Sequence, residues 1–253
     1  MSLAAASPVP AAGASGIFRR IVVTALIAGL VGGLALSIGR QAFVVPLILD
    51  AEVYEQAAEH QHPGHDHAAM AQGAPAPAQP AEKEWEPADG LERNAWTWAA
   101  NGLTGFGFAL LLVAGFVLSG RPVNVLRGLL WGVAGFAVFS LAPAIGLPPA
   151  LPGAPEVALV PRQLWWLCVV IGAASGLALL VFGASWWRWL GLLLIVLPHP
   201  IPAPHNDEPL IAPLVALTQR FIVSTLAVNG VFWLVLGAVG GWLWSRQASR
   251  RSA

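Results

Sequence analysis

Two short segments hold all six histidines of this chain. The first, Asp50 to His67 (DAEVYEQAAEHQHPGHDH), sets Glu52, Glu55 and Glu59 at helical spacing, then places His60, His62, His65 and His67 within eight residues, with Asp66 among them. Side chains three and four apart share one helix face, so the three carboxylates would line one side. The second segment, PHPIPAPHNDE, carries His199, His205, Asp207 and Glu208. Imidazole with carboxylate makes a borderline ligand set suited to Co²⁺, Ni²⁺, Zn²⁺ or Cu²⁺. Around the Pro63-Gly64 turn the flanking imidazoles can converge without helix geometry, although a His-rich tract of this kind concentrates metal weakly and builds no rigid site. Only neutral imidazole binds, so capture should weaken below about pH 6. In the second segment Pro198, Pro200, Pro202 and Pro204 stiffen the backbone that carries the ligands. The plainer readings are a solvated low-complexity loop for the first segment and a polar surface loop for the second. Neither segment matches HExxH or a His/Cys/Cys hydrolase pattern, so no enzyme activity is expected.

The elements that must position these groups are membrane spans. Of 253 residues 57% are hydrophobic and only 10% charged, with a mean hydropathy of +0.68, against roughly 25% charged in soluble domains. No basic run, P-loop or GxGxxG points to a nucleic acid or nucleotide partner. The single cysteine, Cys168, excludes an intramolecular disulfide.

Residues 1–16 are small, uncharged and Pro/Gly-containing, and read as a disordered tail. The remainder, 17–253, reads as a single polytopic membrane domain. Arg19 and Arg20 introduce an uncharged run from Ile21 to Gly39, long enough to span. Ala35 and Ser37 resemble a signal cleavage site, but the run is longer than a signal core and continues into FVVPLIL. Residues 50–94 form a His- and acid-rich loop whose Ala/Pro-rich middle reads as unstructured. Further spans follow over Ala95–Leu118, Gly128 to about Ile145, Gln163–Ala184 and Phe221–Trp244, with Trp96, Trp98, Trp165 and Trp166 placed for a headgroup belt. Between the last two, LGLLLIVLP is too short to span as a helix, and PLIAPLVAL after the His cluster reads as a second short piece. Broken segments of this kind point to ion sites in transporters. The expected fold is an all-α bundle of five or six transmembrane helices, with the fifth span short and broken by proline.

Six crossings with a cytoplasmic amino terminus place Arg19, Arg20, Arg121, Arg127, Arg188, Arg246, Arg250 and Arg251 inside, as the positive-inside rule requires. All 13 acidic residues and all 6 histidines then fall outside. The insertion rule does not demand that acidic bias, and an outer face that collects cations accounts for it. Four spans carry GxxxG pairs, Gly29/Gly33, Gly128/Gly132, Gly172/Gly176 and Gly237/Gly241, which together favour closely packed helices. The polar residues within spans, Asn101, Ser175, Ser224, Thr225 and Asn229, read mainly as hydrogen bonds between helices.

The residues FRR before the first span, AEVYE at 51–55, EPADGLER at 86–93, RQLWW at 162–166, PHPIPAPH at 198–205 and FW at 232–233 resemble the CbtA family of predicted cobalt transporter membrane subunits. The resemblance implies cobalt uptake serving cobalamin synthesis; a bacterial inner membrane is the expected location, and the charge count puts both termini in the cytoplasm. It also implies a small one-span, His-bearing CbtB-type partner. On this reading the lipid bilayer is the environment, Co²⁺ is cargo, and no tightly bound cofactor is expected. Assembly of several copies is compatible with it. A membrane metal sensor or scaffold that binds without transporting is the competing expectation.

Overall fold

Apolar runs bounded by Trp and Arg become helices because lipid leaves no alternative partner for backbone N–H and C=O groups. The computed structural model describes residues 11–61, 87–88, 90–151, 157–206 and 212–249, and all regular structure among them is helical. Seven helices appear among the described residues: α1 (Ala11–Phe43), α2 (Val45–Gln61), α3 (Leu91–Ser119), α4 (Val125–Ala144), α5 (Leu159–Phe182), α6 (Trp187–Val196) and α7 (Ala212–Ser249). Five of them, α1, α3, α4, α5 and α7, are long and apolar enough to cross a membrane. A multi-pass helical bundle, as expected, is the result.

The closely packed pairs α1–α3, α4–α7 and α5–α6 run antiparallel, and glycine sets how closely they cross. A Cβ on Gly29 would lie 2.5 Å from the Phe106 Cα, and one on Gly33 would lie 2.7 Å from the Asn101 carbonyl, so α1 and α3 touch backbone to backbone. Gly128 and Gly132 of α4 meet Gly237 and Gly241 of α7 in the same way, and Gly172 and Gly176 of α5 meet Leu194 and Gly191 of α6. All four GxxxG pairs therefore sit at helix crossings, the use that small residues have where hydrophobic force between helices is absent. Helix α7 is central, packing against α1, α2, α3 and α4. Phe108, Phe139 and Trp233 tie α3, α4 and α7 together, with Phe139 stacked on Trp233 at 5.5 Å and 12°. The α5–α6 hairpin leans on the second half of α4 through Val138, Val170 and Ala173.

Three details differ from the sequence reading. Helix α1 already includes Ala11–Gly16, while residues 1–10 of the expected tail lie outside the described residues. Helix α2 carries the chain as far as Gln61, well into the segment read as a loop, because EVYEQAAEH is rich in strong helix formers. From Ala212 onward the piece PLIAPLVAL belongs to a longer helix. That part opens α7, since Pro213 falls in the first turn, where its missing N–H has no partner to lose.

The stretch expected as a short, proline-broken fifth span is composite. Helix α6 has 10 residues, about 15 Å of rise against a hydrocarbon core of roughly 30 Å. Beyond it the chain continues along α5 without regular helix: Pro198 packs near Gly172, Ile201 is held by Trp165, and Ala203 lies beside Gly146. Helix α4 is irregular at the same level. Residues Ala137–Leu141 form a π turn in which the Ala142 N–H reaches the Ala137 carbonyl, and Pro143, without an N–H, follows immediately.

Candidate functional site

The bundle has two chemically distinct ends. At one, the Arg20 guanidinium donates to the Trp244 carbonyl and lies 3.6 Å from the Trp244 ring centroid, and Gln247 donates to the Thr24 hydroxyl at 3.0 Å. Arg121 stacks over Phe182 and Arg246 over Trp242 at the same end. The opposite end gathers the end of α1, the starts of α3, α5 and α7, the end of α4 and the proline-rich strand after α6.

His199 lies at that opposite end, half-buried between α4 and α5. Its Nε2 is 3.3 Å from the Ala142 carbonyl oxygen. A carbonyl oxygen only accepts, so Nε2 carries the hydrogen and Nδ1 holds the lone pair. The ring meets Trp165 edge-on, 6.5 Å away at 81°. Trp165 is itself buried, and its indole N–H donates to the Ile201 carbonyl at 3.1 Å, fixing the strand that carries His199. Six residues on, the His205 Nδ1 is 2.9 Å from the Ala203 carbonyl. The half-buried His199 thus has its tautomer set by a backbone carbonyl, as ligating histidines usually do.

Of the other expected ligands, Glu52 is half-buried on α2. Glu55, Glu59 and His60 lie along the same helix. His62, His65, Asp66, His67, Asp207 and Glu208 lie outside the described residues. Among the described residues no group of three or more His, Cys, Asp or Glu converges as a metal site. The histidines of the proline strand and the carboxylates of α2 are therefore not brought into one cluster among those residues.

A polar network that composition alone does not single out joins α1 to α3 at this end. The Asn101 amide donates to the Ser37 hydroxyl at 3.1 Å, and Arg40 donates to the Asn101 Oδ1 at 3.3 Å. Asn101 and Ser37 are 4% and 3% exposed, so this in-span asparagine serves helix association, as expected. Ser37 was legible only as part of a cleavage-like pattern. Its burial against α3 gives it a packing role instead.

Five long apolar helices define a multi-pass membrane protein, with a short apolar helix and a proline-rich segment between the last two. Within that class the chain belongs to the CbtA family, described as probable cobalt transporter subunits, whose family model matches residues 18–245. It is thus a transmembrane protein of cobalt transport, in contact with lipid and a subunit of a transporter. No curated protein and no solved structure matches the chain.

Proposed function

We propose that this subunit takes up Co²⁺ from the extracytoplasmic side of a bacterial inner membrane and passes it into the bundle at His199 and His205. In this reading Asp207 and Glu208 supply oxygen ligands next to those imidazoles. Glu52, Glu55, Glu59, His60, His62, His65, Asp66 and His67 gather the ion ahead of them. The observation that carries the reading is the His199 ring: Nε2–H is committed to the Ala142 carbonyl, which leaves Nδ1 as a preset lone pair on a proline-stiffened strand. The arginines gathered at the other end support cytoplasmic termini. The membrane potential supplies about 2.3 kcal/mol per charge per 100 mV for an inward cation. A one-span His-bearing CbtB-type subunit is the proposed partner, and transport, not catalysis, is the proposed activity.

Uptake of radiolabelled cobalt tests this. Cells producing the chain, with the one-span partner, should accumulate cobalt. His199→Gln, which keeps a donor for Ala142 but removes the imidazole nitrogen, should reduce uptake at least about tenfold, the scale on which metal sites respond to loss of a supporting contact. Binding without accumulation would favour the sensor or scaffold. Reporters near Met70 and Asn206 that light up in opposite compartments would end the shared-face reading.

A further inference from the structure

Where α2 packs over the first turns of α7, the two helices enclose an open cleft of about 440 Å³ that the metal chemistry does not use. Asp50, Val53 and Tyr54 line it from α2, and Pro213, Ala216, Leu217 and Arg220 from α7. The spacings are i, i+3, i+4 on one helix and i, i+3, i+4, i+7 on the other, so each helix turns one continuous stripe toward the gap. Leu217 is buried and forms the floor, while Asp50 and Arg220 are exposed. Asp50, Tyr54 and Arg220 make no hydrogen bond or ion pair with any described residue, so a carboxylate, a phenol and a guanidinium present themselves to one space unpartnered.

We propose that this cleft binds the headgroup of a zwitterionic phospholipid carrying a primary ammonium, with its phosphate on Arg220 and Tyr54 and its ammonium on Asp50. A lone divalent cation would be drawn to Asp50 and repelled by Arg220, and a simple anion would meet the reverse. A ligand with both charges a few bonds apart satisfies both walls. Depth fits as well. Arg220 lies 24 residues before Trp244, about 36 Å along α7 at 1.5 Å per residue. That exceeds the roughly 30 Å hydrocarbon core and falls within the headgroup layer when Trp244 sits in the opposite interface. The apolar lining and the exposed Leu49 and Val53 beside it offer a path for acyl chains. Ammonium–phosphate chemistry could also come from a soluble molecule, so the test separates the two sources.

The purified full-length chain in detergent is titrated with dioleoyl phosphatidylethanolamine, phosphatidylcholine or phosphatidylglycerol, and retained lipid is counted by native mass spectrometry. Phosphatidylethanolamine should be held about tenfold better than the other two, because the trimethylated ammonium cannot donate to Asp50 and glycerol carries no cation. Asp50→Asn should abolish the preference over phosphatidylglycerol, and Arg220→Gln should weaken all three about tenfold. Both positions are exposed, and an unchanged elution profile and Tm confirm that each variant folds. Tyr54→Phe, milder still, should lower retention of all three lipids. Equal retention of the three lipids by the parent chain, or a preference that survives both charge substitutions, overturns the proposal. Displacement of bound lipid by free O-phosphoethanolamine overturns the lipid assignment in favour of a soluble ligand, whereas its failure to displace supports the lipid.

Discussion

Gly105 and Gly107 stand two residues apart on α3 and should respond to the same substitution with opposite signs. Gly105 is buried at the α1 crossing. A Cβ there would collide with the Gly29 carbonyl oxygen and lie 3.1 Å from both the Gly29 carbonyl carbon and the Gly33 nitrogen. Those are backbone atoms of a packed helix, so relief requires α1 to move outward as a body. A gap of 0.5–1 Å forfeits about a quarter to a half of each dispersion contact across the interface. Overpacking of this kind costs roughly 1–3 kcal/mol. Gly107 is exposed, and a Cβ there meets nothing within 4 Å. Alanine gains about 1 kcal/mol of helix propensity at either site. That gain cancels when the two variants are compared, which leaves the clash alone. Gly107→Ala should be stabilised by about 1 kcal/mol, and Gly105→Ala should lie roughly 1–3 kcal/mol below it. Thermal unfolding of the purified variants in one detergent, followed by tryptophan fluorescence, reads the difference. Equal shifts of the same sign would falsify the close α1–α3 crossing.

Two further substitutions test the interior and the proline strand. The Thr225 hydroxyl is buried without a hydrogen-bond partner, so Thr225→Val, with nearly the same shape, should raise stability by about 1 kcal/mol; a loss on the same unfolding assay would show that the hydroxyl is satisfied. Trp165→Phe keeps a ring against Gly146 and His199 but removes the N–H that holds the Ile201 carbonyl. It should cost about 1 kcal/mol and raise the KM for cobalt uptake at constant surface amount, whereas an unchanged KM would detach that bond from ligand positioning.

Most of the bundle could be read from the chain because lipid imposes one solution on an apolar run. The four GxxxG pairs were informative for the same reason: only small residues let backbones meet without hydrophobic force. Proline was the less certain guide. PLIAPLVAL reads as a short piece on its own, yet Pro213 lies in the opening turn of α7, because a helix tolerates proline in its first turn. Pro143 falls just inside the end of the expected third span, and α4 runs through it to Ala144 by widening into a π turn and then tightening, with the Ile145 and Gly146 N–H groups bonding three residues back. The ligand-bearing residues were legible by type. Their partners were not, since the Ala142 carbonyl that orients His199 lies 57 positions away and carbonyls have no sequence signature.

The two irregular passes explain each other. Non-helical backbone within a bundle survives only if its polar groups find partners in the protein or in water. The strand after α6 carries three prolines between Leu197 and Ala203 and so gives up three backbone donors. Its Ile201 carbonyl is satisfied by Trp165 of α5, and in return its His199 side chain satisfies the Ala142 carbonyl at the distorted end of α4. That carbonyl can accept a second bond because its own helical partner is the Ile145 N–H at a long 3.3 Å, and the Gly146 N–H turns to Pro143 instead. A regular α4 would bond its carbonyls within the helix, and a regular α6 would carry the chain past the point where His199 meets α4. The paired defects therefore hold an imidazole at a fixed tautomer beside the bundle, which neither broken pass would do against an intact neighbour.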